Sequence, residues 1–349
     1  MQRGVDRVDP DGADQRRRKA REDIALIRRH YGDGIGELFA RLPSEQLDTI
    51  WTATDLSART RKAAGDPRTL EQLRVAALVQ WAQSFLHHGD ASRCDRWCDS
   101  PNDLHDAAPP ESPPTRHGRP GALHALWDLT SLLGVTRRCG ELQDSGATLP
   151  PDPTHELVAG GVRLRRLLID PDTGELLDLT PGTWILPGQD RRHGAPVVLG
   201  VVIDLPTWQA LKDPDDPEVN AELRDAIAAA PPAIRDMLAH PLTADDLDRT
   251  PDAYPAPAQL AEFVTTRDRH PANPTAGLCA AAAGDIDHAT SVRTGGGTVR
   301  DNLSAPSRRW HLLKTFGGWT VQRIHRHWVW TSPAGRSYRI DPHDYRLGP

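Results

Sequence analysis

Residues 99–120 read DSPNDLHDAAPPESPPTRHGRP, with six prolines in 22 positions. Proline fixes φ and has no backbone N–H, so neither a helix nor a central strand can run through such a stretch. It divides the chain, and its two flanks are patterned differently. Upstream, apolar residues recur at helical spacing; downstream, they gather into short runs suited to buried strands. A chain of 349 residues with 38% hydrophobic content can fill a core on each side. The expected class is α+β: a helical N-terminal domain over 1–98, a linker over 99–120, a mixed α/β middle region over 121–253 and a C-terminal module over 254–349.

Upstream of the linker, Ile24, Ile27, Ile35, Leu38 and Leu42 surround the break YGDGIG, which predicts a helix, an interruption and a second short helix. In SEQLDTIWTATDLSARTRKAA, Leu47, Ile50, Trp51, Thr54 and Ala58 share one helical stripe, ended by GDPR. Thr69 and Gln72 then have capping-box spacing, and Leu70, Leu73, Ala77, Trp81 and Phe85 form the next stripe. Together they predict a helical hairpin or bundle with its tryptophans in the core. Downstream, ALHALWDLTSLLGV predicts a strand running into a short helix, VRLRRLLIDPDTGELLDL a hairpin turning at DPDTGE, and PVVLGVVIDL a buried strand. Helices are expected near 217–229 and 233–239, with one more after the proline-punctuated TPDAYPAP.

No apolar run approaches the length of a membrane span, and the N-terminus lacks the apolar core of a signal peptide, so the expectation is a cytoplasmic protein without a membrane partner. Four cysteines in this length make no disulfide framework. Cys94 and Cys98, with His87, His88 and His105 nearby, fall within zinc-site spacing and are read as coincidence. The net charge of −6 is unevenly spread. Residues 285–349 hold ten Arg and Lys against five Asp, a net of +5, which leaves −11 on residues 1–284. A basic C-terminal piece on an acidic body suits docking on a polyanion, and equally a solvated basic face.

The densest chemistry lies in GDIDHATSVRTGGGTVRDNLSAPSRRWHLLKT, residues 284–315. Taken singly, an Asp-His dipeptide is usually a polar surface feature and a helix histidine is usually solvated. The order of segments along the chain adds more: GDPRTLEQLRVAALV, TSLLG with GELQDSG, LLIDPDTGELL, YPAPAQLAEFVTTRD, then DIDH, GGGTVRDNL, WHLLKTFGGW and WTSPAGRSY. In that order they resemble a large bacterial family of HNH endonuclease-signature proteins that carry an N-terminal helical domain of unknown function. The resemblance covers most of the chain and is thinnest over 180–250. It implies a C-terminal ββα-metal nuclease module in which Asp287 and His311 hold the metal, His288 is the general base and Asn302 is the central asparagine. Where family members often carry structural-zinc cysteines, this chain has Pro271, Ala276, Gly284 and Ser307, so structural zinc is not expected. Trp310 replaces the first histidine of the family's His-His pair.

Phosphodiester hydrolysis needs a deprotonated water and a positive centre beside the phosphoryl oxygens. A neutral imidazole, His288, can take the proton, and Asp287 with His311 can hold one Mg²⁺ or Mn²⁺. On a strand, Asp287 and His288 would face opposite sides, and Asp285 would share the face of Asp287. Gly295, Gly296 and Gly297 permit a tight return, Ser304 is the expected helix cap with Pro306 in the first turn, and Asn302 could fix the loop carrying His288. GGWTVQRIHRHWVWTSPAGRSY predicts a hairpin whose Trp319, Trp328 and Trp330 cover the module core, aided by Leu312 and Leu313. Arg308, Arg309, Lys314 and Arg323 are the expected nucleic-acid contacts. The expected function is a divalent-metal-dependent HNH endonuclease acting on DNA. A catalytically silent DNA-binding or regulatory relative, and a protein-interaction module built on the helical domain, are the alternatives.

Overall fold

The proline-rich stretch is where the fold divides: residues 1–114 and 115–349 form separate compact units. A computed structural model describes residue 19 and residues 22–88, 115–188, 197–274 and 284–347, apart from positions 32–33, 117–118, 121, 214–215, 218, 250 and 253. Cys94, Cys98, His105 and Ala276 lie outside the described residues, as do the side chains of His87 and His88. Among the described residues no helix is long and apolar enough to cross a membrane.

In the first unit, the two short helices expected over 23–42 are instead an antiparallel hairpin of β1 (Ala25–His30) and β2 (Gly36–Arg41). The strands reverse across the YGDGIG break, where Gly34 takes φ 79° and the Tyr31 N–H donates to the Ile35 carbonyl at 2.8 Å. Glycine takes positive φ without a Cβ clash, which turns the interruption into a strand reversal. Helices α1 (Ser44–Ala63) and α2 (Leu70–His88) follow. The Thr69 N–H donates to Gln72 Oε1 at 2.9 Å and the Gln72 N–H to Thr69 Oγ1 at 3.2 Å, a reciprocal capping box that starts α2. The helices meet over Leu73 and the smaller Thr54, Ala58 and Ala77, all buried, and Asp55 on α1 accepts from Arg74 on α2 at 2.6 Å. Apart from Leu73, none of the large members of the expected stripes is fully buried. Leu47, Ile50, Trp51 and Phe85 are exposed, and Trp51 lies under the Arg74 guanidinium rather than in a core. Alanines at the seam draw the helices together and leave no room between them for an indole.

The second unit begins with β3 (Thr115–Arg116) and β4 (Arg119–Pro120), then β5 (Leu123–Asp128), the one-turn α3 (Leu129–Leu132), β6 (Gly140–Leu142), β7 (Thr148–Leu149) and α4 (Pro151–Ala159). Next come β8 (Val162–Ile169), β9 (Leu176–Leu179), β10 (Trp184–Leu186), β11 (Val197–Asp204), α5 (Leu205–Ala210), α6 (Ala221–Ala229) and α7 (Pro232–Ala239). One mixed sheet takes the order β10-β8-β11-β5-β6-β7, and β9 pairs with the second half of β8. Its centre is parallel, with Val201 of β11 opposite Trp127 of β5 and Arg166 of β8. Buried strands with both faces covered are continuous apolar runs, which is how β5 and β11 read in the sequence.

Alternate residues of those strands feed two separate cores. Ala125, Trp127, Leu164, Leu168, Leu199 and Val201 pack on one face with Trp208, Ile234 and Met237 from α5 and α7. Leu126, Leu167, Ile169 and Val202 pack on the other face with Leu260, Phe263 and Val264 of α8 (Ala258–Asp268). This second core also takes in Leu303, Ala305 and Tyr345. The segment carrying the site chemistry is thus seated on the sheet, and residues 254–349 share a core with the middle region.

Candidate functional site

Three short elements carry the residues singled out in the sequence. β12 (Asp287–His288) pairs antiparallel with β13 (Leu303–Ser304), Asp287 opposite Ser304 and His288 opposite Leu303, and α9 (Arg308–Phe316) follows. The order is ββα. Its position is fixed by a buried ion pair at the end of α8: Arg267, 2% exposed, donates to the carbonyls of Arg300 (2.7 Å) and Leu303 (2.8 Å), while Asp268 accepts from the Ala305 N–H at 2.9 Å. Sequence reasoning passed over both residues. The available signal was two adjacent charges at the end of an otherwise core-facing helix.

The loop from β12 to β13 is held from inside by Asn302. Its Oδ1 accepts from the Thr290 N–H at 2.8 Å, its Nδ2 donates to the Thr290 and Gly297 carbonyls at 3.0 and 2.8 Å, and its own carbonyl accepts from the Ala289 N–H at 2.7 Å. Gly296 lies against this amide, where an added Cβ would fall 1.9 Å from the Thr290 carbonyl oxygen. Asn302 is therefore the brace of the loop that follows His288, and the glycine run is what lets the loop close on it.

His288 is partly buried, with Nε2 2.8 Å from Oγ1 of the fully buried Thr298. Burial lowers its pKa below the ordinary histidine value; nearby Asp287 opposes this and the Lys314 ammonium reinforces it. Asp287 and His311 meet on the other side of the strand: His311 Nε2 is 3.7 Å from Asp287 Oδ1, and His311 Nδ1 is 2.7 Å from Asp285 Oδ2. Arg308 also reaches Asp285, at 2.8 Å. Burial works to raise the Asp285 pKa, but the hydrogen bonds from Arg308 and His311 outweigh it and hold the carboxyl below its ordinary value.

In the tautomer of His311 that donates from Nδ1 to Asp285, Nε2 carries a lone pair 3.7 Å from a carboxylate oxygen of Asp287, too distant for a hydrogen bond. Two electron-rich atoms facing each other across 3.7 Å suit a shared cation, and the outer carboxylate on the imidazole is the usual support of a metal-ligating histidine. Among the described residues no group of three or more His, Cys, Asp and Glu side chains could hold a metal ion by itself. Two protein donors fit Mg²⁺, which keeps several waters and shares substrate phosphate, better than they fit zinc.

The remaining candidates separate. Lys314, 16% exposed, donates to Asp287 Oδ2 at 2.8 Å and to the His288 carbonyl, so it belongs to the site's internal wiring. Arg323, 12% exposed, pairs with Glu175 at 2.6 Å and with Asp301 at 3.0 Å. Arg308 and Arg309 are exposed at the start of α9. Ser304 is not the cap: pairing with Asp287 keeps it in β13 with a buried side chain, and Ser307 takes the N-cap position without a side-chain bond, leaving Pro306 outside the helix. α9 therefore begins at Arg308, and His311 lies in its first turn.

Gly284 has its backbone against Pro306; a Cβ there would lie 2.4 Å from the Pro306 carbonyl oxygen. Around it, Asn273 Oδ1 accepts from the Ser307 N–H (2.9 Å) and the Trp330 indole donates to the Ala272 carbonyl (2.7 Å). Behind it, β14 (Thr320–Ile324), β15 (His327–Thr331) and β16 (Ser337–Ile340) form an antiparallel sheet. Trp310, Val321, Trp328 and Trp330 pack together there, with Trp319 and Leu313 against them. Leu312, expected in that core, is exposed because it lies on the far side of α9 from Trp310. Comparison with protein-family models, curated proteins and solved structures finds no match for this chain.

Proposed function

We propose that the ββα segment is a nuclease site of the HNH kind and that the protein hydrolyses DNA phosphodiester bonds with Mg²⁺ or Mn²⁺. The observation that carries the reading is the separation of two histidines. His288 is tied through Nε2 to Thr298, whereas His311 is tied through Nδ1 to Asp285 and turns Nε2 toward Asp287. In the neutral tautomer that donates from Nε2, His288 keeps its Nδ1 lone pair, and its lowered pKa leaves it uncharged at neutral pH. That nitrogen takes the proton of an attacking water. Asn302 keeps the loop after His288 from shifting as the proton moves, and Lys314 holds the His288 carbonyl and the Asp287 carboxylate in fixed relation. A divalent ion held by Asp287 and His311 would supply the positive centre beside the phosphoryl oxygens. Arg308 and Arg309 are the phosphate contacts on this reading.

Supercoiled plasmid incubated with the full chain is expected to be cut with Mg²⁺ or Mn²⁺ and to stay intact with excess chelator. One observation favours a second reading, a catalytically silent DNA-binding relative: Asp287 already has a resident cation in Lys314 at 2.8 Å. Titration of the chain with Mn²⁺ separates the two. Metal binding that is lost in Asp287→Ala supports the nuclease, and DNA binding without any metal binding supports the silent form.

A further inference from the structure

We propose that Tyr254 is a nucleobase-stacking residue of this site, holding the base next to the phosphate served by His288, and that the preferred substrate therefore has an unstacked base at that position. The inference rests on the nuclease reading and adds a residue and a substrate class to it. Tyr254 is 74% exposed, whereas Tyr345 and the tryptophans behind α9 are packed away. Its ring is nearly parallel to the His288 imidazole, at an interplanar angle of 16° and a centroid separation of 6.1 Å.

The placement of Tyr254 is built. On its N-terminal side, Asp248 accepts from the Arg300 N–H at 2.7 Å and from its guanidinium at 3.0 Å, and the Pro251 carbonyl accepts from the Thr298 N–H at 2.7 Å. Thr298 is the residue that binds His288 Nε2, so Tyr254 and His288 are referred to one anchor. On its C-terminal side, Pro255 and Pro257 limit the backbone up to the start of α8. The phenol hydroxyl makes no hydrogen bond among the described residues, so the ring, not its oxygen, is what the site offers. An exposed aromatic face beside a phosphate-handling group is the arrangement that single-stranded nucleic acid recognises, because every base has a face to stack. A base inside an intact duplex is already stacked, so single-stranded or locally opened DNA is favoured over a continuous duplex.

The test uses the full chain without added metal and a short single-stranded oligonucleotide carrying 2-aminopurine. Wild type and Tyr254→Phe should quench the probe on binding. Tyr254→Ala should lose the quenching and weaken binding about 5- to 150-fold. Equal affinity and equal quenching in Tyr254→Ala would overturn the proposal while leaving the nuclease reading in place. Unchanged affinity together with a raised His288 titration point in Tyr254→Ala, read by NMR of the imidazole, would make the tyrosine a cover for His288 and also overturn it. A wild-type protein that binds no oligonucleotide would instead remove the nucleic-acid reading itself.

Discussion

Within the unit of residues 115–349, the central strands and the ββα segment bury different things. β5, β8 and β11 place Trp127, Leu164, Leu168 and Val201 out of water entirely, with few polar groups among them. The ββα segment leaves Asp285, Asp287, His288 and His311 half-buried and ties them by hydrogen bonds to one another, to Thr298 and to Lys314. Apolar burial is non-directional and supplies stability, whereas hydrogen bonds between half-buried groups contribute little net stability and fix orientation. The central strands hold the fold together, and the ββα segment holds its polar side chains in fixed orientations. The two are joined where Arg267 and Asp268 of the sheet-facing helix α8 bond the Leu303 carbonyl and the Ala305 N–H, and where Leu303 and Ala305 enter the core under the sheet.

Substitutions should respect this division. Leu168→Ala empties a fully buried position and should lower unfolding free energy by about 2–5 kcal/mol in denaturant titration, with cleavage unchanged where the variant is folded. Comparable loss of cleavage at low temperature would break the comparison. Acid should strike the packed part next. His343 accepts from Arg269 at 2.6 Å, and burial first, then the charges of Arg269 and His270, pushes its pKa down to about 3. A folded pKa below the unfolded value of about 6.5 means that stability is full above that pH and is lost as pH falls toward 3. Thermal unfolding of wild type and His343→Gln between pH 7 and pH 4 should show a shallower decline in the variant.

The site side is sharpened by Asp285→Ala, which removes the carboxylate steadying His311. It should raise the Mn²⁺ concentration needed for cleavage by about 10- to 100-fold, leave the rate at saturating metal nearly unchanged and barely move the unfolding midpoint. A fall in maximal rate with no change in metal dependence would place Asp285 elsewhere in the account. The smallest effect is expected at Leu312, exposed on α9, where Leu312→Ala should change stability by less than about 0.5 kcal/mol, against a clear loss for Trp330→Ala behind the same helix.

How far the sequence reached follows the same division. β5, β8, β9, β11 and the capping box at Thr69 were legible because continuous apolar runs, a DPDTGE turn and Thr-x-x-Gln are local signals. The hairpin of β1 and β2 was not: its strands are exposed on both faces, so no alternation marks them, and its glycines suit a helix break equally well. The parallel order β8-β11-β5 depends on pairings far apart in sequence. In the site, the types and spacing of Asp287, His288, Asn302 and His311 were readable, but the contacts of Lys314 with Asp287, Arg323 with Glu175 and Tyr254 with His288 exist only once the chain has folded.

The central claim is that a half-buried His288 does chemistry and not structure. It is tested most directly by His288→Ala, with plasmid cleavage in Mg²⁺ or Mn²⁺, DNA affinity and thermal unfolding measured on the same preparations as wild type. The account predicts a loss of cleavage of about 10²- to 10⁴-fold, with DNA affinity and unfolding midpoint close to wild type. Cleavage at the wild-type rate in the variant, or a wild-type protein that binds DNA and metal yet never cuts, would contradict it.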